Sequence, residues 1–451
     1  MARRNSLTAV GIVNTITQAT NKVGEVQLPF VDKSTFSDFG KQLMTAPEAY
    51  QNGWLDNLVN LCGLQIILGK RMYESYFKRL YREATLTENI ALYMIDAIKA
   101  KAYDKEATSR ILENEPPRVG VQYIQSVLRR QYQVTDIEDL ITSAFTTEGS
   151  FMSFMDAVTT QLYSSMEDDN VEAIKTMLNE NLAEGNIRLH PIAKPDNQAE
   201  LLAYMRVVKR IGADWDAERS REYNLAGFRT FSPNDDHYFL LNTDMDALNQ
   251  VYNLPWAFDK SYLEMKSEGE AIVMGSGALA GGNVYAMMFD RDFFQIRDRV
   301  NHPRFTSFFN AGTLSQNRFL TCFTVMSIAF FANAVAFIAP SAVGFAASNY
   351  AALDTRDGSA NANLGEIKEI YVKSVKADTG KYVDKFGKFS ITGNTSNDTY
   401  IDPDSGELYI AKDEEGTEGT GADAGSYFIT VTWTSHLDNT KTATKAIKLN
   451  V

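Results

Sequence analysis

The sequence predicts an α+β body followed by a small all-β sandwich, and three observations carry that prediction. An apolar stripe at helical spacing opens at Ser150 and runs to Gly185, enough for one helix of about 34 residues. Helical and strand signals alternate between Ala199 and Leu279, with Phe239 to Leu241 and Ile272 to Met274 as strands. After Asp354 the chain turns polar and turn-rich, and its apolar residues fall on every second position. At 451 residues it is too long for one core and implies two or three domains.

The elements follow in order. The first 50 to 60 residues read as an arm, because Val10 to Thr20 and Val26 to Val31 keep no sustained period and Pro29 and Pro47 interrupt them. Such a segment is ordered by lying on another surface. Lys70, Arg71, Lys78, Arg79 and Arg82 are then interleaved with Tyr73, Tyr76, Phe77 and Tyr81. That pattern suits nucleic acid, but an amphipathic protein contact is the favoured reading. Ile90, Met94, Ile95 and Ile98 give Thr87 to Lys101 a helical spacing. In the long helix Ser150 is the expected cap, Phe151, Phe154, Met155, Val158 and Leu162 start the stripe, and Asp168 to Asn170 is a candidate kink.

The charge pattern then breaks. From Phe319 to Leu353 there is no Asp, Glu, Lys or Arg. At about 1.5 Å per residue, Phe319 to Ala339 has the length to cross a hydrocarbon core of roughly 30 Å. Asn333 within it, Pro340, Ser341 and Gly344 after it, and Arg318 as the sole adjacent charge argue instead for burial in protein, with Ala329 to Phe337 packed on both faces. Nor does the N-terminal stretch hold an uninterrupted apolar run of the secretory kind.

In the last segment Tyr427, Ile429, Val431 and Trp433 alternate with Thr430 and Thr432, and Ile447, Leu449 and Val451 repeat the pattern. Ile370 with Val372, Phe389 with Ile391, and Leu408 with Ile410 supply shorter strands. Turns fall at Asp402 to Gly406, Gly416 to Gly425 and Asp438 to Thr440. Five strands without a helical signal predict a β-sandwich with one or two more strands, lacking an inter-sheet disulfide.

Composition excludes some functions. A net charge of −13 is wrong for a protein that grips nucleic acid through phosphates. The two cysteines, Cys62 and Cys322, lie in apolar surroundings, as buried thiols of a reducing compartment do. Gly275, Gly277, Gly281 and Gly282 match neither the dinucleotide fingerprint nor the P-loop, so a bend is favoured over a phosphate cradle. His190, His237, His302 and His436 have no metal-ligand spacing. Asp402, Asp404, Gly406 and Glu407 lack the later bidentate Glu of a calcium loop and read as a β-turn. Ser276, His302 and Asp298 make a trio only on paper, without a nucleophile elbow. No catalytic, cofactor-binding or metal-binding residue is expected.

Four stretches in order carry a family resemblance: Glu113-Asn114-Glu115-Pro116-Pro117 before a helical segment, Gly149-Ser150-Phe151, Phe289-Asp290-Arg291-Asp292-Phe293-Phe294, and Phe331-Ala332-Asn333-Ala334-Val335-Ala336-Phe337. Through them the chain resembles the major capsid proteins of small tailed phages, in particular the phi29-like podoviruses. Those proteins join the tailed-phage and herpesvirus (HK-ninety-seven-type) shell fold to a C-terminal immunoglobulin-like domain.

The resemblance implies an N-terminal arm over 1–55, an extended loop and flanks over 56–118, a peripheral domain with the spine helix over 119–200 and an axial domain over 201–330. Residues 331–358 would return to the peripheral domain, and 359–451 would be the immunoglobulin-like sandwich. It further implies a structural protein that assembles as hexamers and pentamers into an icosahedral or prolate shell around a genome. Scaffolding protein and a portal would be its partners, without sequence-specific nucleic acid, membrane, cofactor or enzymatic activity. Assembly would take place in the bacterial host cytoplasm. Subunit contacts are expected between Lys70, Arg71, Lys78, Arg79 and Arg82 and an acidic patch of Asp136, Glu138 and Asp139 on a neighbour. Two rivals stay open: a membrane-anchored surface protein with an immunoglobulin-like adhesive module, and a hydrolase or transferase built on the Gly275 loop.

Overall fold

The computed structural model describes residues 9–21, 29–32, 35–45, 54, 76–86, 89–96, 117–125, 127–137, 148–253, 271–300, 302–310 and 315–450. In chain order these form α1 (Ala9–Asn21), α2 (Phe36–Thr45), β1 (Tyr81–Thr85), β2 (Ile90–Ile95), β3 (Val119–Ile124), β4 (Val127–Ile137), α3 (Glu148–Ala183), β5 (Arg188–Pro191), α4 (Gln198–Ala217) and β6 (His237–Asn242). Next come α5 (Thr243–Asn253), β7 (Ala271–Met274), β8 (Val284–Asp290), β9 (Phe294–Arg299), β10 (Arg304–Asn310), β11 (Ser315–Ile328) and β12 (Ala334–Ile338). The C-terminal part adds β13 (Ala351–Thr355), β14 (Asn361–Asn363), β15 (Ile367–Val375), β16 (Gly387–Thr392), β17 (Tyr400–Ile401), β18 (Glu407–Tyr409), β19 (Thr417–Glu418), β20 (Tyr427–Ser435) and β21 (Thr442–Asn450).

Two compact units result. The first comprises Met1–Glu88, Gln125–Ala173 and Ile296–Met326. Its sheet runs β1-β9-β11-β10, with β4 also paired to β11. One face of that sheet carries Tyr132, Val134, Leu320 and Cys322, and these pack on Leu162, Tyr163 and Met166 of α3. The helix begins at Glu148, so Ser150 lies in its first turn and is not the cap expected of it. It also passes Asp168 to Asn170 without a break. Those polar residues are held from β4, where Tyr132 Oη donates to Asp169 at 2.8 Å and Arg130 donates to Asn170 at 3.1 Å.

The N-terminal segment of this unit is more ordered than its weak periodicity suggests. Val13, Ile16 and Thr17 of α1 are buried, and Trp54 Nε1 donates to Thr17 at 3.2 Å. Asn14 clamps Val31 by accepting from its N–H and donating to its carbonyl. Tertiary packing supplies what a short polar helix lacks alone.

The second unit comprises Asn89–Ile124, Ile174–Gln295 and Ser327–Val451. Its mixed sheet runs β5-β12-β8-β6-β7. All five residues of β12 are buried, and Tyr204 of α4 meets Phe337 with ring centroids 5.5 Å apart. Burial on both faces explains why the strand is uniformly apolar. Asn333 is also buried, accepting from Thr230 Oγ1 at 2.7 Å while its carbonyl accepts from Asp290 N–H. From Leu320 to Ala339 the uncharged stretch is therefore strand and turn packed within protein, while Pro340, Ser341 and 347–349 are exposed. Among the described residues no helix is long and apolar enough to cross a membrane.

Local chemistry sets the helix ends. After α3, Gly185 takes φ +73°, and Gly185 and Asn186 N–H close onto the carbonyls of Leu182 and Asn181. Before α4, Asn197 accepts from Glu200 N–H at 3.0 Å while the Glu200 carboxylate accepts from Asp196 N–H at 2.9 Å.

Two readings are corrected in this unit. Within Thr87 to Lys101, Ile90–Ile95 is strand β2 and not helix; residues 87, 88 and 97–101 lie outside the described residues. The segment after Pro117 is likewise strand β3. Apolar side chains on both faces of β2 erase the two-residue alternation by which a strand is recognised.

The C-terminal part forms two sheets, β13-β15-β18-β17 and β14-β21-β20-β16 with β19 on β20. Ile370, Val372 and Leu408 from one sheet share a core with Phe389, Ile429, Val431, Trp433, Ile447 and Leu449 from the other. The nine strands exceed the sequence expectation because β14, β17 and β19 are too short to alternate. Pairing also starts at β13, ahead of residue 359.

Candidate subunit-contact surfaces

The β2–β3 ribbon has one packed face and one open face. Tyr93 pairs with Val121, Ile95 with Val119 and Ala91 with Tyr123, so these side chains stand on one side. Tyr93 and Tyr123 are each 68% exposed and Ile95 62%. On the other side Gly120 lies against the Phe228 and Phe331 rings, so closely that a Cβ would meet them at 2.6 and 2.7 Å. Gln122 fixes the ribbon by donating to Ile328 carbonyl at 2.8 Å and accepting from Phe330 N–H at 2.9 Å.

A buried charge network anchors the ribbon's base. Arg118 donates to Glu369 of β15 at 2.9 Å and to the carbonyls of Gly227 and Ala226, while its guanidinium lies 4.2 Å from the Phe228 centroid. Its Nε approaches Glu407 at 3.2 Å in ion-pair but not hydrogen-bond alignment. Arg221 bridges Asp96 at 2.8 Å and Asp402 at 2.9 Å, and Asp96 also accepts from Arg229 N–H. Burial pushes the Glu407 carboxyl above its ordinary range, against the pull of Arg118 and Arg221. These contacts tie the sandwich to the ribbon and to the loop after α4.

Beside the network lies a groove of about 790 Å³, lined among others by Gly120, Arg188, Glu222, Tyr371, Lys385 and Lys388. Its charges are largely paired internally: Arg188 with Glu222, and Lys388 with Glu222 and Asp404. This is the chemistry of a seam between packed parts.

The residues singled out in the sequence are placed as follows. Lys78 and Arg79 are exposed on the 3₁₀ turn Tyr76–Leu80, and Arg82 stands half-buried on β1. Asp136 sits on β4 in register with Gln316. Lys70, Arg71, Glu138 and Asp139 lie outside the described residues. Lys78 acts within its own chain: burial raises the Asp298 carboxyl, which the Thr324 hydrogen bond and then Lys78 and His302 pull back.

The remaining motifs resolve as structure. Asp402 is a turn carboxylate, accepting from Asp404 and Ser405 N–H and facing Arg221. The glycine-rich loop is pinned to α3 by Asn179, which donates to Ala278 carbonyl and accepts from Ala280 N–H. The cavity beside that loop holds about 10 Å³, too small for a nucleotide. Cys322 is buried, its thiol pushed up to about 12 by burial first; Cys62 lies outside the described residues. Sequence reasoning missed Asp96, Arg118, Arg221 and Glu369 and read Glu407 only as part of a turn, because their partners are set by the tertiary fold. The one available signal was Arg118 directly behind Pro116-Pro117.

Comparison with known proteins gives a consistent result. The sequence profile of the family described as Phi29-like phage major capsid protein matches residues 13–338. The major capsid protein of Bacillus phage PZA is 24% identical over 400 residues, covering 86% of this chain and 87% of that one. The major capsid protein of Bacillus phage GA-1 is 25% identical over 340 residues, covering 72% and 68%. Among solved structures, a chain from the capsid of Staphylococcus phage Andhra overlays at 12% identity with a TM-score of 0.46, over 60% of this chain and 86% of that one. That overlay is too partial to define the fold.

Proposed function

The chain belongs to the Phi29-like phage major capsid protein family and forms the shell of a phage capsid, and from that premise we propose that it assembles as hexamers and pentamers that close an icosahedral or prolate shell around the genome. The observation that carries the reading is the open face of the β2–β3 ribbon. Tyr93, Ile95, Val119, Val121 and Tyr123 stand together there, exposed, on a ribbon whose other face is fastened down. Burying one such side chain fully is worth about 1.5–3 kcal/mol, so the face is a ready contact for a neighbouring subunit.

On this reading residues 1–55 are the arm, 56–118 the extended loop, 119–200 the peripheral domain, 201–330 the axial domain and 331–358 the return segment. Residues 359–451, joined by β13 from the return segment, are an immunoglobulin-like sandwich on the outer surface, bracing the subunit through Glu369, Asp402 and Glu407. Lys70, Arg71, Lys78, Arg79 and Arg82 meet Asp136, Glu138 and Asp139 of a neighbour. The protein performs no catalysis, is guided by a scaffolding protein and a portal in the host cytoplasm, and reads no nucleic-acid sequence. Modest contacts repeated around a closed lattice supply the stability.

Electron microscopy of the purified chain, alone and with a scaffolding partner, tests this. Closed shells with five- and six-fold capsomers are expected. A chain that stays monomeric throughout while inserting into liposomes would overturn it.

A further inference from the structure

The sheet of the first unit turns one face to α3, and its opposite face has an unusual composition. Register fixes which residues share that face. Arg129, Gln131, Gln133 and Thr135 of β4 pair with Phe323, Thr321, Phe319 and Asn317 of β11, and the last three pair in turn with Arg304, Thr306 and Phe308 of β10. Side-chain hydrogen bonds from Gln133 and Thr135 to Asn317 agree with this assignment. The Arg299 and Arg129 guanidinium groups lie 5.7 and 5.8 Å from the Phe323 centroid, and the His302 ring lies 4.4 Å from it. Arg299 thus puts Arg297, two residues away on β9, on the same face, and Arg82 of β1 pairs with Arg297.

Five arginines from four of the five strands therefore share one face: Arg82 of β1, Arg297 and Arg299 of β9, Arg129 of β4 and Arg304 of β10. No Asp, Glu or Lys occupies a position on that face of β4, β9, β10 or β11. Arg129 and Arg304 are exposed, and Phe308 is 67% exposed.

We infer that this arginine face is a docking surface for an acidic surface of a second copy of the chain, an inference that rests on the shell reading above. Two observations choose that occupant. First, a solvated strand face carries lysine and glutamate, whereas arginine with phenylalanine, and without lysine or acid, is the make-up of the centre of a protein interface. Second, the chain as a whole carries −13, so its other surfaces are acidic. From Asp413 to Thr440 there is no Lys or Arg, and Asp413, Glu415, Glu418 and Asp423 are exposed. Planar guanidinium groups accept carboxylates in bidentate fashion, and apolar neighbours that exclude water strengthen the pairing. A nucleic-acid wall would instead place its cations on a chain of basic net charge.

The test compares the full-length wild type with R129E/R304E and R129Q/R304Q. Assembled shells and free subunits are separated by sedimentation at low and high salt, and thermal unfolding is followed in parallel. The inference expects shell yield to fall tenfold or more for the Glu pair and less for the Gln pair, with high salt weakening wild-type assembly and unfolding unchanged. Should the Glu pair fail to fold, the Gln pair, which keeps size and removes only charge, must still show reduced yield. Wild-type yield from both variants overturns the inference. So does intact assembly with loss only of encapsidated DNA, which would make nucleic acid the occupant. If the wild type itself forms no shells, the proposed function falls and this inference with it.

Discussion

Arg118 and Glu369 are separated by 251 residues of sequence and 2.9 Å of space. The pair joins the ribbon to the sandwich, and Arg118 also neutralises Asp96 and approaches Glu407. Removing one member of a buried pair leaves charges without compensation, at about 3–5 kcal/mol. Arg118→Met is accordingly expected to lower unfolding stability by that amount in denaturant titration, and Glu369→Gln on top of it should cost less than it does alone. Additive losses would show that the two residues are not coupled.

Gly120 lets the ribbon lie flat on Phe228 and Phe331. A larger residue must push those rings aside, and overpacking of this kind costs about 1–3 kcal/mol. Gly120→Val should loosen the ribbon, seen as new protease cleavage between residues 89 and 124, and should reduce shell yield. Unaltered cleavage would mean that the ribbon is not seated there.

Glu414 predicts an acid limit for the sandwich. Burial raises its pKa, but hydrogen bonds from Thr395 N–H and hydroxyl and from Ser396 N–H outweigh burial and hold it at about 2. A folded pKa below the unfolded value stabilises above the ordinary carboxylate range, and the benefit disappears as pH falls from about 4.5 toward 2. Wild type should lose thermal stability through that window. Glu414→Gln should be less stable at neutral pH and flatter across the window; parallel curves for the two proteins would refute the assignment.

Cys322 contacts Met166 at 3.2 Å within the packing of α3 on its sheet. With its thiol held at about 12, native protein should resist alkylation at this position at mildly alkaline pH and become reactive on unfolding. Peptide-level mass spectrometry reads the rate, and prompt native modification would contradict the packing.

Long, regular elements were legible in the sequence. The apolar stripe of α3, the alternation of β20 and β21 and the uniform apolarity of β12 each follow from one periodicity and one burial pattern. The ribbon was misread because Ile90, Met94 and Ile95 fit a helical template as well as a strand apolar on both faces. The strands β14, β17 and β19 hold two or three residues, below what alternation can register. The contact surfaces were harder. Arg82 was noticed among local aromatics, whereas Arg129, Arg297, Arg299 and Arg304 come together only through strand register, which no stretch of sequence displays.

The position of β21 has a consequence for how the chain matures. It lies between β14 and β20, so the five-stranded sheet has a gap in its interior until the last strand inserts. During synthesis every other strand of the sandwich is made first and must wait. The parallel pairing of β14 with β21 closes a long loop, a slow class of folding step. Until β21 pairs, Ile429 and Trp433 of β20 lack their cross-strand neighbours Ile447 and Ala443, so the strand that arrives slowly is also the one that completes this wall of the sandwich core.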